Sequence, residues 1–589
     1  MILVPIRIGW GKIMRAVFSG LAAVALLLVL HAARAASSVP GAPQVEWTKP
    51  KIVIRTGQSD TDGYAATVFH RRAYVVDVTD QQGGGLNVSR IWFSTNRSGH
   101  WKRTLVAKIT DDQGASGVTT PRIVVVPSSG HVVIAAIDYS ASGSKLLSFS
   151  DQSGSWQPLS LPLEVKTDSS ASDGTRAETS PAVGGMVNAL TSFLSQHIPT
   201  TVGSLGGGGE ANSDNDTAAG TLADEQVPSL AAYGHTVDLA FNADYAGTSS
   251  QCSKNEGNVF LSVLTDGDGT WSSPKNVTED LCQTSLFARN PILAYNPSGR
   301  LYLLYERTGD PSTLRQLALR SGTLAASTEQ IIAPAPASQN WSVLHSLYGL
   351  EALAFDAHGG ARVAYITSNG ENVTPARLMF ATGGAEGWTR TLLHQATKRW
   401  DDADVAAVAT AVAAGETGTV VAFEGTVDGA GTRSVYLLTH HPGTGWSSPE
   451  NFTGKRDTDT SPKLAVSGGL MHLFMKRDGV GYLYARQLPV PEISEQLQDA
   501  SGDTLRLSGS VAPETSPETV HVCLQRKIAE NRWGTCQRDR VIAANQVNTG
   551  QFTYQRHSLA AGRYRVRATV QETDDHLSGI GPWQDFTVR

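Results

Sequence analysis

Paired carboxylates recur along this chain. They stand at Asp60 and Asp62, Asp111 and Asp112, Asp224 and Glu225, and Glu279 and Asp280. They return at Asp401, Asp402 and Asp404, and at Asp457 and Asp459. Single acids, Asp77, Asp138, Glu306 and Glu424, follow apolar runs. Acids gathered at one mouth can bind a hard cation, and Ca²⁺ suits an all-oxygen site built from Asp401, Asp402, Asp457 and Asp459. They can also grip sugar hydroxyls, or supply the acid pair of glycoside hydrolysis, with Asp401 and Asp402 as candidates. Arg289, Arg399 and Arg456 share these loops and offset part of the charge. Trp400 beside Asp401, and Trp341 in the equivalent earlier loop, are candidate sugar-stacking platforms, with Arg289, Arg399 and Asp404 as further ligand contacts. The competing reading is structural: loop acids cap turns, loop tryptophans pack on their neighbours, and both keep a surface soluble. No HExxH, GxSxG, P-loop or dinucleotide fingerprint occurs in a fitting context.

The elements that must position these groups repeat. A strand, a Gly-containing turn and a Trp recur at Phe93–Trp101, Phe149–Trp156 and Leu264–Trp271, and later copies end in Trp388 and Trp446. The tryptophan spacings are 55, 115, 117 and 58. The second long gap holds a unit without Trp, which begins at Asn290-Pro291; the first holds an insertion at 161–226. Before each Trp phrase stand two apolar strands joined by a tight turn, such as 121–126 and 131–137. Alternation and turn spacing indicate antiparallel strands, four to a unit, which is the blade pattern of a β-propeller. Inner strand pairs begin near residues 65, 120, 228, 290, 350, 405 and 462, which makes seven. The last set lacks an outer strand. Residues 47–54 match 271–278 and supply it, so an N-terminal outer strand is expected to close the ring and remove its open edges. The alternative is an open array of sandwiches.

Three segments stand apart. Residues 17–30 are an apolar run after Lys12 and Arg15, ending at Ala33-Arg34-Ala35, so 1–35 reads as a signal peptide, with Met14 as an alternative start. A retained anchor helix is the competing reading, but the run is short for a bilayer span and nothing later is apolar enough. The insertion carries Met186, Leu190, Phe193 and Leu194 on one face of an expected helix, a lid or a docked surface element. After Pro489-Val490-Pro491, residues 489–589 read as a small β-sandwich of Ig/FnIII-like size. An exported, secreted or periplasmic chain permits disulfides, and local spacing suggests Cys252–Cys282 and Cys523–Cys536; the alternative is four buried thiols. The 589 residues are 40% hydrophobic and 17% charged, with net charge -6, which argues against disorder and against a general nucleic-acid binder.

The Trp phrase resembles the Asp-box, or BNR repeat, of the sialidase superfamily, in secreted bacterial form. The matching copies are 94–101, 148–156 and 264–271, with Asn96 in place of Asp in the first. The tails 271–278 and 446–453 are similar to those of such propellers. The resemblance spans about residues 45–488 and implies a propeller whose box stabilises a turn while its Trp packs between blades. It also implies a possible Tyr-Glu nucleophile pair, for which Tyr305-Glu306-Arg307 is the nearest match, making Glu306 a catalytic candidate. Adjacent residues in a regular strand face opposite ways. No Arg-Ile-Pro motif follows the signal, and seven units are counted where that family usually has six. The expected architecture is therefore all-β, a seven-bladed β-propeller (36–488) followed by the sandwich. Its expected role is binding a glycan or surface macromolecule without chemistry. A sialidase-like glycoside hydrolase is the alternative, and a structural cell-surface module the second alternative.

Overall fold

The computed structural model describes residues 45–56, 63–83, 86–98, 100–111, 117–140, 143–161, 228–244, 257–282, 286–308, 316–324, 329–333, 342–343, 352–368, 377–384, 387–395, 408–412, 418–425, 434–441, 445–453, 459–467, 469–477, 479–499, 502–512, 519–542, 544–546, 549–573 and 576–589. The expected signal peptide, nearly all of the 161–226 insertion, and Cys252 lie outside them.

The chain is all-β. From Lys51 to Pro489 it forms antiparallel sheets of four or five strands. The first sheet takes Tyr64–Phe69, Arg72–Gly83, Leu86–Thr95 and Lys102–Asp111 in spatial order. The second takes Val118–Val125, Val132–Ser140, Gly143–Ser150 and Gln157–Pro158. The third takes Ser229–Tyr233, Thr236–Asp244, Gly257–Thr265 and Lys275–Asn276. The fourth takes Phe287–Tyr295, Leu301–Thr308, Gln316–Ser321 and Gln330–Ala333. In the fifth, Ser342–Val343 and Ala352–Phe355 share Ala361–Ser368, followed by Arg377–Gly384 and Gly387–Gln395. The sixth runs Val408–Val412, Thr419–Gly425 and Ser434–His441, with Gly445–Trp446 and Glu450–Asn451 outside. The seventh is Asp459–Ser467, Leu470–Arg477 and Gly481–Pro489.

The first strand of each sheet lies against that of the next, and the seventh lies against the first. The core is accordingly divided into wedges between sheets. Ile123 and Val125 meet Val76 and Ile91 between the first and second sheets, and Leu239 and Trp271 meet Val133 and Leu146 between the second and third. Tyr64 and Val68 meet Phe474 and Tyr482 between the first and seventh. A strand with such a wedge on both sides reads as a nearly continuous apolar run. Thr419–Gly425 is buried along its whole length, and its Thr-Val-Val-Ala-Phe run is the outcome.

The repeated tryptophans tie the wedges together. Trp156 packs edge-on against Phe93 of the sheet before it, and Trp446 against Phe380. Trp271 donates Nε1–H to Ser148 Oγ of the second sheet at 3.2 Å. Trp101, from the first sheet, meets Tyr484 of the seventh. The turn acids act more locally. Asn96 Oδ1 accepts the Ala73 N–H at 2.7 Å, and Asp151 Oδ1 accepts the Val132 N–H at 2.6 Å. Asp266 departs from this pattern and bonds His131 and Gln152 of the sheet before it.

The N-terminal segment joins the seventh sheet in two pieces rather than one continuous strand. Val45–Trp47 pairs with Gln487 to Pro489, and Lys51–Arg55 pairs with Gly481 to Tyr484. Pro50, which has no N–H to donate, sits in the break.

Contacts divide the chain into two units. One is Pro50–His441 with Trp446–Arg486; the other holds Gln487–Arg589 with Met1–Lys49 and Pro442–Gly445. In the second unit, Glu492–Asp499, Leu505–Ala512, Thr549–Arg556 and Ala544–Gln546 form one sheet. Thr519–Ala529 and Gly562–Val570 centre another, flanked by Arg532–Trp533, Gln537–Ile542, Gly579–Ile580 and Gln584–Val588. Leu507, Val511 and Phe552 from one sheet share a core with Val522, Val566 and Phe586 from the other. Cys523 and Cys536 form a disulfide.

Candidate ligand site on the inner strands

A backbone irregularity recurs near the start of the first strands. Thr120, Asn290 and Ser461 have positive φ values of 48°, 50° and 52°. Each precedes a proline, and the strand register shifts at each. Proline steers its predecessor toward extended backbone, and left-handed backbone costs an L-residue about 1–2 kcal/mol, so the neighbourhood must hold these residues in place. The preceding sheet does so. Asn242 Oδ1 accepts the Asn290 N–H at 3.1 Å while its Nδ2 donates to Ala288 O at 2.6 Å. Glu424 Oε2 accepts the Ser461 N–H at 3.0 Å, and from the other side Tyr64 Oη of the first sheet donates to Ser461 O at 2.6 Å.

A bulge re-aims the side chain that follows it. The residues after these prolines are Arg122, Ile292 and Lys463. Arg122 and Lys463 come from the second and seventh sheets, on either side of the first, whose inner strand offers the small Ala65 and Ala66. Burial lowers the Arg122 guanidinium to about 10. Burial, and then the charge of Arg122, push the Lys463 ammonium down to about 8, with Glu424 opposing. Among the described residues, neither cation has a carboxylate within ion-pair distance, and Arg122 donates only to its neighbour's carbonyl, Pro121 O, at 3.0 Å. Two cations that repel each other, with the charge of Glu424 opposing from beyond ion-pair distance, are suited to an anion.

The acids that end the second strands are committed inside the sheets. Asp77 pairs with Arg103, whose guanidinium also covers the Trp92 ring at 4.6 Å. Glu306 is buried and accepts from Asn290 Nδ2 at 3.0 Å. Tyr305 and Arg307 both reach Glu329 on the opposite face. Asp280 sits in the short helix Glu279–Cys282 and bonds Arg320 at 2.6 Å. Arg289 stands across the ladder from Glu306 and is half-buried. For Asp459, the described feature is its backbone pairing with Arg477. Trp341, Arg399, Trp400, Asp401, Asp402, Asp404 and Asp457 lie outside the described residues. Among the described residues, no group of three or more His, Cys, Asp or Glu side chains is placed to hold a metal ion, and no helix is long and apolar enough to cross a membrane. The sequence reading missed Arg122 and Lys463. Their signal was a proline inside an apolar strand, preceded by Thr or Ser and followed by a cation.

Two buried groups in this unit oppose each other with pH. Burial raises Asp77 from 3.8 to about 6, outweighing Arg103. Burial, with help from Arg486 and Arg71, lowers His472 from 6.5 to about 4. Between these limits the folded chain keeps a proton on Asp77 that the unfolded chain releases, so this group makes stability fall as pH rises. The unfolded chain protonates His472 where the folded chain does not, so this group makes stability rise with pH. Each is worth about 3 kcal/mol over its window. Relative to wild type, Asp77→Asn should gain stability, and His472→Gln lose it, as pH rises from about 4 to 6.5. Urea unfolding at steps across that range measures both slopes, and parallel profiles would contradict the assignment.

No family model matches the chain, and no curated protein matches it. Among solved structures, it is similar to a Penicillium chrysogenum α-L-arabinanase complexed with arabinobiose, at 12% identity and TM-score 0.38, covering 67% of this chain and 98% of the other. It is similar to a polysaccharide lyase at 10% identity and TM-score 0.39, covering 78% and 94%. A Trypanosoma rangeli sialidase follows at 9% identity and TM-score 0.33, covering 84% and 89%. At these scores neither fold nor activity carries over, and the functional reading rests on this chain's own residues.

Proposed function

We propose that the chain is an exported seven-bladed β-propeller of Asp-box type, followed by an Ig/FnIII-like sandwich, whose inner rim binds an acidic glycan without chemistry. The cyclic contact of first strands and the tryptophans packed on the preceding sheet support the propeller. The Cys523–Cys536 disulfide supports an oxidising compartment. The observation that carries the ligand class is the cation pair, Arg122 and Lys463, with no carboxylate partner among the described residues. A sugar carboxylate would relieve their repulsion, and partial dehydration strengthens the attraction.

Hydrolysis is the alternative reading, and its candidates Asp401 and Asp402 lie outside the described residues. It needs two carboxyl groups about 5–10 Å apart with access to substrate. Glu306 is 1% exposed and bonded to Asn290, and Asp77 is 0% exposed and paired with Arg103. The test is an array of neutral and uronate- or sialate-bearing oligosaccharides, run beside chromogenic glycosides. Wild type should retain acidic glycans only, and Arg122→Ala/Lys463→Ala should lose at least tenfold in affinity for them. Equal binding of neutral sugars, or turnover of any glycoside, would reject the proposal.

A further inference from the structure

The second sheet of the C-terminal unit has one face in the core and one face that is strongly basic. Val522, Val566 and Phe586 point into the core. Alternation places Arg563, Arg565 and Arg567 of Gly562–Val570 on the other face. The ladder aligns Arg538 with Cys523, and Cys523 with Arg567, so Arg538 and Arg540 of Gln537–Ile542, on the other side of Thr519–Ala529, lie on that same face. Arg538, Arg540 and Arg563 are exposed. Across from Arg565 stands Asp585, the one acid that these strands place there among the described residues.

None of the five arginines has a carboxylate within ion-pair distance among the described residues. Instead, two tryptophans order part of the row. The Arg565 guanidinium lies 4.5 Å from the Trp533 ring and 4.2 Å from the Trp583 ring, and Arg567 lies 4.3 Å from Trp583. Arg565 Nε also donates to Gln525 Oε1 at 2.7 Å. Stacking costs a guanidinium few of its in-plane donors, so it fixes the charge while leaving N–H groups for a ligand. The result is a cationic sheet face, with two of its five guanidiniums pre-ordered, in a chain of net charge -6.

We propose that this face binds a linear polyanionic polysaccharide. The argument is charge complementarity. Arginines two residues apart on one strand are about 7 Å from each other, and the two arginine-bearing strands, separated by Thr519–Ala529, are about 10 Å apart, so anionic groups spaced along an extended polymer can meet several guanidiniums at once. Single-stranded nucleic acid fits less well, because its bases need open aromatic faces and these tryptophans already carry arginines. The proposal is independent of the inner rim.

The test uses the full mature chain and immobilised polygalacturonate, with neutral dextran and single-stranded DNA as comparisons. Wild type should bind polygalacturonate in a salt-sensitive manner and ignore dextran. Arg538→Ser/Arg540→Ser/Arg563→Ser, all at exposed positions, should weaken binding at least tenfold without shifting the melting temperature, and the triple Lys variant should keep most of it. Made in an Arg122→Ala/Lys463→Ala background, which removes the contribution of the rim, the triple Ser change should still weaken binding at least tenfold, which separates this face from the rim site. Unchanged affinity in the triple Ser variant, equal retention on dextran, or tighter binding of DNA than of polygalacturonate would each overturn the proposal.

Discussion

Deleting residues 36–56 should destabilise the sheet body by about 4 kcal/mol or more, from the lost burial of Ile54 and Val53 and the lost ladder bonds. Ile54 is 6% exposed and belongs to the wedge that also holds Tyr64, Phe474 and Tyr482. Its removal uncovers the edge of Gly481–Pro489, which invites pairing with other chains. A point substitution can reproduce much of this. Gly481 has a φ of 137°, and a Cβ there would lie 2.0 Å from Ile54 O. Gly481→Ala should therefore undock Lys51–Arg55 while leaving it covalently present. Thermal unfolding with light scattering reads both effects; an unchanged melting temperature in the deletion would reject the closure.

Arg320→Ala should cost about 3–5 kcal/mol, the range for breaking a buried ion network from one side. Arg320 is 1% exposed. It donates to Tyr305 Oη at 2.9 Å, to Val277 O at 2.8 Å and to Asp280 at 2.6 Å, and thus bolts the fourth sheet to the edge of the third. Its loss leaves a buried carbonyl and phenol short of partners, and weakens the neutralisation of Glu329, 3.8 Å away. Arg307 still pairs with Glu329, so Arg320→Met, which refills the volume, should lose about half as much. Equal stability of Ala, Met and wild type in urea would show that the network contributes nothing.

The architecture was readable because its determinants are local and repeated. Each Trp of the recurring phrase meets the same surroundings, the sheet before it, so its spacing tracks the sheets. Most second strands read as apolar runs because wedges cover both faces, with Asp238 and His472 interrupting two of them. Residues 47–54 matched 271–278 because both fill an outer-strand position, and Pro50 set the break. The opposite facing of Tyr305 and Glu306 follows from the period of a strand. The inner rim was not readable in the same way. Arg122 and Lys463 owe their placement to bulges, and Asn242 or Glu424 of another sheet holds two of the bulges that share this form. A Pro within a strand signals irregularity, but which side chain it re-aims depends on partners far away in sequence. For the same reason Asp77, Glu306 and Glu424, read as mouth-facing acids, are committed to Arg103, Asn290 and Ser461.

The strand that seals the sheet body also sets the order in which this chain can be made. Arg55 pairs with Gly481, so the first strand to leave the ribosome waits for almost the last of its unit. At 5–20 residues per second, that wait is roughly 20–90 s. During it, Lys51–Arg55 has no native partner, and each new sheet has only its predecessor to lean on. Closure of the body therefore cannot begin until Gly481 to Tyr484 have been made. The same wait makes nascent chains on one messenger each other's nearest competitors for that edge.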